Sequence, residues 1–236
     1  MKTWRVPRMW EGGECWIIGG GPSLTEQFDI PQDIVQRVLS KELTPDAYSP
    51  YLAPIHKKHV IGINAAYLIG KWIDIMFFGD ARFFLEHRER LAKFPGLKVS
   101  CHERPAGVKY ANDNIKYLPK HKGHGKGHGI SPVADKVCWN QNSGAAAISV
   151  AANTGATRII LVGFDMKMNG TVQHWHSLYG TAGKKDRPLR SLPFQRHLKA
   201  FPAIDRDARQ RGIEIVNACP DSEIQEFEKT TVKSLL

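Results

Sequence analysis

The stretch Cys15–Leu24 reads CWIIGGGPSL. An uninterrupted apolar run breaks into three glycines, a proline and a serine. A short apolar run without polar alternation describes a strand covered on both faces, as in a parallel sheet. Glycines at its end let the backbone approach a ligand and expose its N–H groups, and Pro22 suits the first turn of a helix. By physical logic this is a phosphate cradle. The same glycines also suit a tight strand-to-helix turn that needs them for geometry alone. The segment is neither a Walker A nor a GxGxxG sequence, so the usual kinase and dinucleotide fingerprints are missing.

The pattern recurs along the chain. His59–Ile63 ends in Asn64, Ile73–Phe78 in Gly79-Asp80, Arg158–Val162 in Gly163-Phe164-Asp165, and Ile213–Val216 in Asn217-Ala218-Cys219-Pro220. Helices are expected between these runs. Ser143–Thr154 is small and apolar all round, Arg82–Phe94 is amphipathic, and Phe194–Arg211 is a third, stopped by Gly212. Strand–helix alternation predicts an α/β, Rossmann-like, doubly wound and mainly parallel sheet, in one domain spanning 1–236. Ligands bind such sheets at the strand carboxyl ends. Gly19–Ser23, Asn64, Asp80, Asp165 and Asn217–Ser222 are therefore expected to converge on one pocket.

Two stretches do not read as core. Residues 119–130 contain KHKGHGKGHG, a flexible basic loop carrying Lys120, Lys122 and Lys126. Residues 166–192 read as a lid-like excursion over the site, aromatic, basic and glycine-containing. Lys184, Lys185, Arg187 and Arg190 crowd its second half, where they suit a diphosphate leaving group or an acceptor's phosphates. Trp175 and Tyr179 beside them suit stacking on a base or sugar.

The 236 residues are 42% hydrophobic and 24% charged, which excludes disordered, collagen-like and coiled-coil chains. The net charge of +10 favours polyanionic partners. No apolar run reaches the roughly 18 residues of a spanning helix, and Glu11, Gly12 and Gly13 interrupt any signal-peptide core, so a cytoplasmic location is expected. Cys15, Cys101, Cys138 and Cys219 have no zinc spacing and read as free thiols. His174-x-His176 lacks a third ligand at fixed spacing, so no metal site is assigned. Asp165 with a magnesium–diphosphate is the better metal alternative.

The ordered segments Trp16–Leu24, His59–Asn64, Phe77–Phe84, Asn142–Asp165 and Asn217–Ser222 resemble the landmarks of glycosyltransferase family 42, the bacterial sialyltransferases. A wider group of phage-encoded and pterin-diphosphokinase-like proteins shares the skeleton. The resemblance implies a nucleotide-activated donor lying across the strand ends. Gly19, Gly20 and Gly21 would be near its phosphate or cytidine, with Asn64, Ser143 and Gly144 at the nucleotide and sugar; Ser23, Asp80, Asn142 and Asp165 are expected in the same nucleotide site from their places at the strand and helix ends. It also implies a histidine base in the excursion. His174, His176 and His197 are the candidates, and position beside Trp175 and the basic cluster favours the first two. The chain departs from the family at Gly20, where the pattern has asparagine, at Gly79, where it has a polar residue, and at Asn140, where it has arginine. The function expected is a nucleotide-sugar glycosyltransferase, with DNA as an acceptor in a phage setting. The alternatives are a magnesium-dependent diphosphokinase and a nonenzymatic nucleotide- or nucleic-acid-binding protein.

Overall fold

The computed structural model describes residues 3–103, 109–110, 112–121, 127–178 and 193–236. Its strands are β1 (Glu14–Ile18), β2 (His59–Ile63), β3 (Ile75–Phe78), β4 (Leu97–Ser100), β5 (Ile115–Tyr117), β6 (Arg158–Val162), β7 (Glu214–Asn217) and β8 (Glu228–Lys229). They form one sheet in the order β5-β4-β3-β2-β1-β6-β7-β8, with every neighbouring pair parallel. The chain steps outward from β1 to β5, then returns to the other side of β1 for β6 to β8. The strand order therefore reverses between β1 and β6, the crevice where open α/β sheets take ligands.

Successive side chains of a strand point to opposite faces, so each face has its own core. Cys15 and Ile17 pack on one face with Ile61, Phe77, Ile148 and Phe201. Trp16 and Ile18 pack on the other with Leu24, Leu52, Phe78 and Phe84. The helices α1 (Ser23–Gln27), α2 (Gln32–Leu39) and α3 (Ala81–Ala92), with a 3-10 run over Pro45–Ile55, cover the second face. The first is covered by α4 (Ser143–Asn153) and, after the short α5 (Phe194–Leu198), by α6 (Phe201–Gln210). Residues Gly144 to Ala152 of α4 are all buried, and their small side chains let the helix lie against β1, β2, β3 and β6.

The expected helix over Phe194–Arg211 is two helices. Pro202 has no N–H to give the carbonyl four residues back, and its ring clashes there, so the chain breaks at Lys199-Ala200 and restarts. The strands β4 and β5 do not stand out in the sequence, because Lys98 and Lys116 interrupt their apolar runs. Lys98 is nonetheless buried and donates its Nζ to the Leu91 carbonyl at 3.3 Å.

The described ends of the basic stretch are anchored. Lys120 bridges to Val137, and the N–H groups of Gly129 and Ile130 donate to Asp207 Oδ2 at 2.7 and 3.0 Å. Lys122 and Lys126 lie outside the described residues. All four cysteines are free and buried. Burial pushes Cys15 well above the usual thiol range, Cys101 to about 12, and Cys138 and Cys219 to about 11. Among the described residues no helix is long and apolar enough to cross a membrane.

Candidate active site

A cavity of about 280 Å³ opens at the carboxyl ends of β1, β2, β3 and β6. It gathers Gly19, Gly20, Gly21, Asn64, Asp80, Asn142, Ser143, Gly144 and Asp165 with His174, His176 and His197. Two expected groups lie outside this lining. Ser23 is buried and outside the lining, because both its donors are turned to Asp165. The Asn217–Ser222 turn also stays out of the cavity, and Ser222 Oγ donates to the Phe164 carbonyl at 2.6 Å. Tyr179, Lys184, Lys185, Arg187 and Arg190 lie outside the described residues.

The glycine turn is less of a cradle than its sequence suggests. Gly19 N–H donates to the Val162 carbonyl at 2.8 Å and Gly21 N–H to the Gly163 carbonyl at 2.9 Å. Only Gly20 N–H, of the three, makes no hydrogen bond among the described residues. None of the three has a positive φ; what they lack is room. A Cβ on Gly19 would come within 2.5 Å of the Gly163 carbonyl, and one on Gly21 would overlap the Asp165 carboxylate. One on Gly20 would sit 2.9 Å from His174 Nδ1.

Asp165 ties β6 to the start of α1. Its Oδ1 accepts from Ser23 N–H at 3.0 Å and its Oδ2 from Ser23 Oγ at 2.8 Å. Burial raises its pKa, against the lowering effect of those bonds. Asp80 caps α3 by accepting from Arg82 N–H at 2.7 Å. Asn142 caps α4 by accepting from Gly144 and Ala145 N–H at 2.8 and 3.3 Å. Asp80 and Asp165 each already accept from protein donors, and among the described residues no three His, Cys, Asp or Glu side chains come together.

The segment carrying the histidines is pinned to the glycine turn. Trp175 donates its backbone N–H to the Gly20 carbonyl at 3.1 Å and its indole N–H to the Gly19 carbonyl at 2.8 Å. Tyr48 donates to the Trp175 carbonyl at 3.1 Å. Trp175 is thus a buried anchor rather than the stacking surface expected of it. The rings of His174 and His176 lie parallel, with centroids 5.3 Å apart. His174 Nδ1 is 3.2 Å from the Gly20 carbonyl, and His176 Nδ1 accepts from Leu178 N–H at 3.3 Å. His197, from α5, is among the lining residues, and burial, reinforced by Arg196, lowers its pKa to about 4.

Strain collects here. Asn64, Gln141 and Met166 line the cavity at φ +50°, +56° and +53°, and Asn140 beside them is at +48°. Left-handed backbone costs non-glycine residues about 1–3 kcal/mol and concentrates at functional sites. Asn64 Oδ1 is buried without a hydrogen-bond partner among the described residues.

Sequence reasoning missed Trp139, Gln141, Lys167 and Phe194, all in the lining. Trp139 precedes the α4 cap, and its indole occupies the space beside Gly79 so closely that a Cβ there would overlap the ring. Lys120 Nζ lies 4.6 Å from the ring centroid. A tryptophan just before a predicted helix cap was the available signal.

No protein-family model and no curated protein matches the chain. Among solved structures, the MAf glycosyltransferase from Magnetospirillum magneticum AMB-1 is similar with a TM-score of 0.60 at 10% identity, covering 99% of this chain and 36% of that one. The monofunctional α-2,3-sialyltransferase Cst-I from Campylobacter jejuni is similar with a TM-score of 0.52 at 14% identity, covering 93% of this chain and 80% of that one. This chain therefore spans about a third of the length of the MAf glycosyltransferase. At such identities the likeness is one of fold, and the resemblance drawn from the sequence holds at that level.

Proposed function

We propose that the chain is a cytoplasmic glycosyltransferase that uses a nucleotide-activated sugar and transfers it by direct displacement. The observation that carries this reading is Asn64. Its buried Oδ1, unpartnered among the described residues, is held by left-handed backbone at a cavity in the strand-order switch. An unpaired buried acceptor costs about 1–3 kcal/mol, which a ligand's N–H or O–H donor would offset. The fold shared with two glycosyltransferases supports the reaction class.

The histidine bonds support a division of roles. A carbonyl only accepts, so His174 Nδ1 carries the proton toward Gly20, and in the neutral ring the lone pair is on Nε2. His176 Nδ1 accepts from Leu178 N–H, so its proton is on Nε2. His174 is then the general base and His176 a donor to the ligand. His197, lowered to about 4, is a weaker base at neutral pH. His174 takes the acceptor's hydroxyl proton as that oxygen bonds to the anomeric carbon. The bond from that carbon to the donor's phosphate oxygen breaks, and the electron pair leaves with the nucleotide. Lys167 and the positive end of α4 face the leaving phosphate's charge. The net charge of +10 supports DNA as a polyanionic acceptor.

A thermal-shift panel of CMP, CDP, UDP, GDP and ATP, with and without Mg²⁺, tests the reading. A ligand at 100 times its dissociation constant stabilises by about 2.7 kcal/mol. Stabilisation by a nucleotide without magnesium is expected. Stabilisation by ATP only with magnesium would instead indicate the diphosphokinase, and no stabilisation by any nucleotide overturns the nucleotide site.

A further inference from the structure

We infer that Trp139 is the platform for the sugar ring of the donor, a specificity-determining residue in a glycosyl subsite completed by Asn64, Asp80 and Ser143. The inference rests on the glycosyltransferase reading and deepens it. A sugar ring has an apolar C–H face and a rim of hydroxyls, so it needs an apolar wall flanked by hydrogen-bonding groups. The cavity provides that combination at its β2–β3 end. The indole of Trp139 stands over the backbone of Gly79. Ser143 Oγ is 3.2 Å from the Cβ position of Gly79, next to the ring. Asp80 follows directly in sequence, and Asn64 brings its Oδ1, unpartnered among the described residues, from the adjacent strand end.

The ring is also held in place. Asn140 and Gln141, the next two residues, are both left-handed, and Asn140 Nδ2 donates to the Gly129 carbonyl at 2.9 Å. Lys120 contributes a cation–π contact from outside the lining. Two left-handed residues follow the indole in sequence, and the glycine in β3's exit turn leaves it room. Trp139 is half-buried, packed in part against the core of the first sheet face and lining the cavity with the rest.

The test compares CMP, UDP and GDP with CMP-N-acetylneuraminate, UDP-N-acetylglucosamine and GDP-mannose on the full chain by calorimetric titration. Wild type is expected to bind one nucleotide sugar more tightly than its parent nucleotide. Trp139→Ala should remove that increment, on the order of tenfold, and leave the nucleotide's own affinity unchanged. Trp139→Phe should restore part of it. Gly79→Ala, which keeps the tryptophan but displaces it, should behave like Trp139→Ala. If Trp139→Ala does not fold, the other two variants decide. An increment intact in the folded variants overturns the platform while leaving the glycosyltransferase reading standing. Equal loss for nucleotide and nucleotide sugar also overturns it, since Trp139 would then hold the base. If neither class of probe binds wild type, the glycosyltransferase reading fails and the platform with it.

Discussion

Gly20 and Gly79 are two positions at which the chain departs from the sialyltransferase pattern by losing a side chain, and at both a ring from elsewhere fills the space. His174 lies against Gly20 and Trp139 against Gly79. The glycines were visible in the sequence, but the rings that explain them were not, because each arrives from a distant segment. Gly20→Val should therefore act through His174. We expect nucleotide-induced stabilisation to disappear while the far-ultraviolet circular dichroism is kept; unchanged nucleotide binding would show that the turn has no part in the site. Asp165 and His197 set opposite pH dependences. The pKa of Asp165 is raised by burial, so its contribution to stability is present in acid and lost as pH rises through its folded value. In thermal melts, wild type should lose stability relative to Asp165→Asn as pH rises from the ordinary carboxyl range. His197 is lowered to about 4, so wild type should lose stability as pH falls from about 6.5 toward that value. His197→Gln should flatten that loss, and an unaltered slope would mean that the ring is not desolvated in solution.

The elements that position the site were legible where their chemistry is local. The apolar runs of β1, β2 and β6 and the small-residue run of α4 are each readable within a dozen residues. β4 and β5 were not, because a lysine can lie in a strand when its ammonium reaches a carbonyl, as Lys98 does at Leu91. The pocket's membership was over-read at Asn217–Ser222 for a related reason. A polar strand end looks the same in sequence whether it faces a ligand or, like Ser222, the neighbouring backbone. Asn142 serves α4 and the cavity together. Asn142→Ala removes the cap, and loss of such a cap costs about 0.5–2 kcal/mol. At roughly 2–4 °C per kcal/mol for a domain of this size, a drop of a few degrees in Tm is expected. Asn142→Asp, which can still accept from both amides, should recover most of it.

At the scale of the whole molecule, the alternation of runs and helices pointed to the strand carboxyl ends, the sheet itself puts the switch between β1 and β6, and the charge suggested what approaches it. Reversing Lys184, Lys185 and Arg187 to Glu should weaken DNA binding and reduce the salt slope by up to about three, near one for each phosphate no longer neutralised. If wild type binds DNA without salt dependence, or not at all at low ionic strength, the nucleic-acid acceptor is ruled out. The four buried thiols have a consequence of another kind. Cys15 lies in β1, Cys101 follows β4, Cys138 precedes the Trp139 turn and Cys219 follows β7. A thiolate reagent can reach none of them until its neighbourhood opens. The chain thus carries an unfolding clock with four hands, readable by mass spectrometry after timed alkylation. Equal rates would mean that the sheet comes apart as one body. A fast Cys101, beside the outermost strand, would mean that it peels from the β5 edge while the crevice between β1 and β6 still holds its shape.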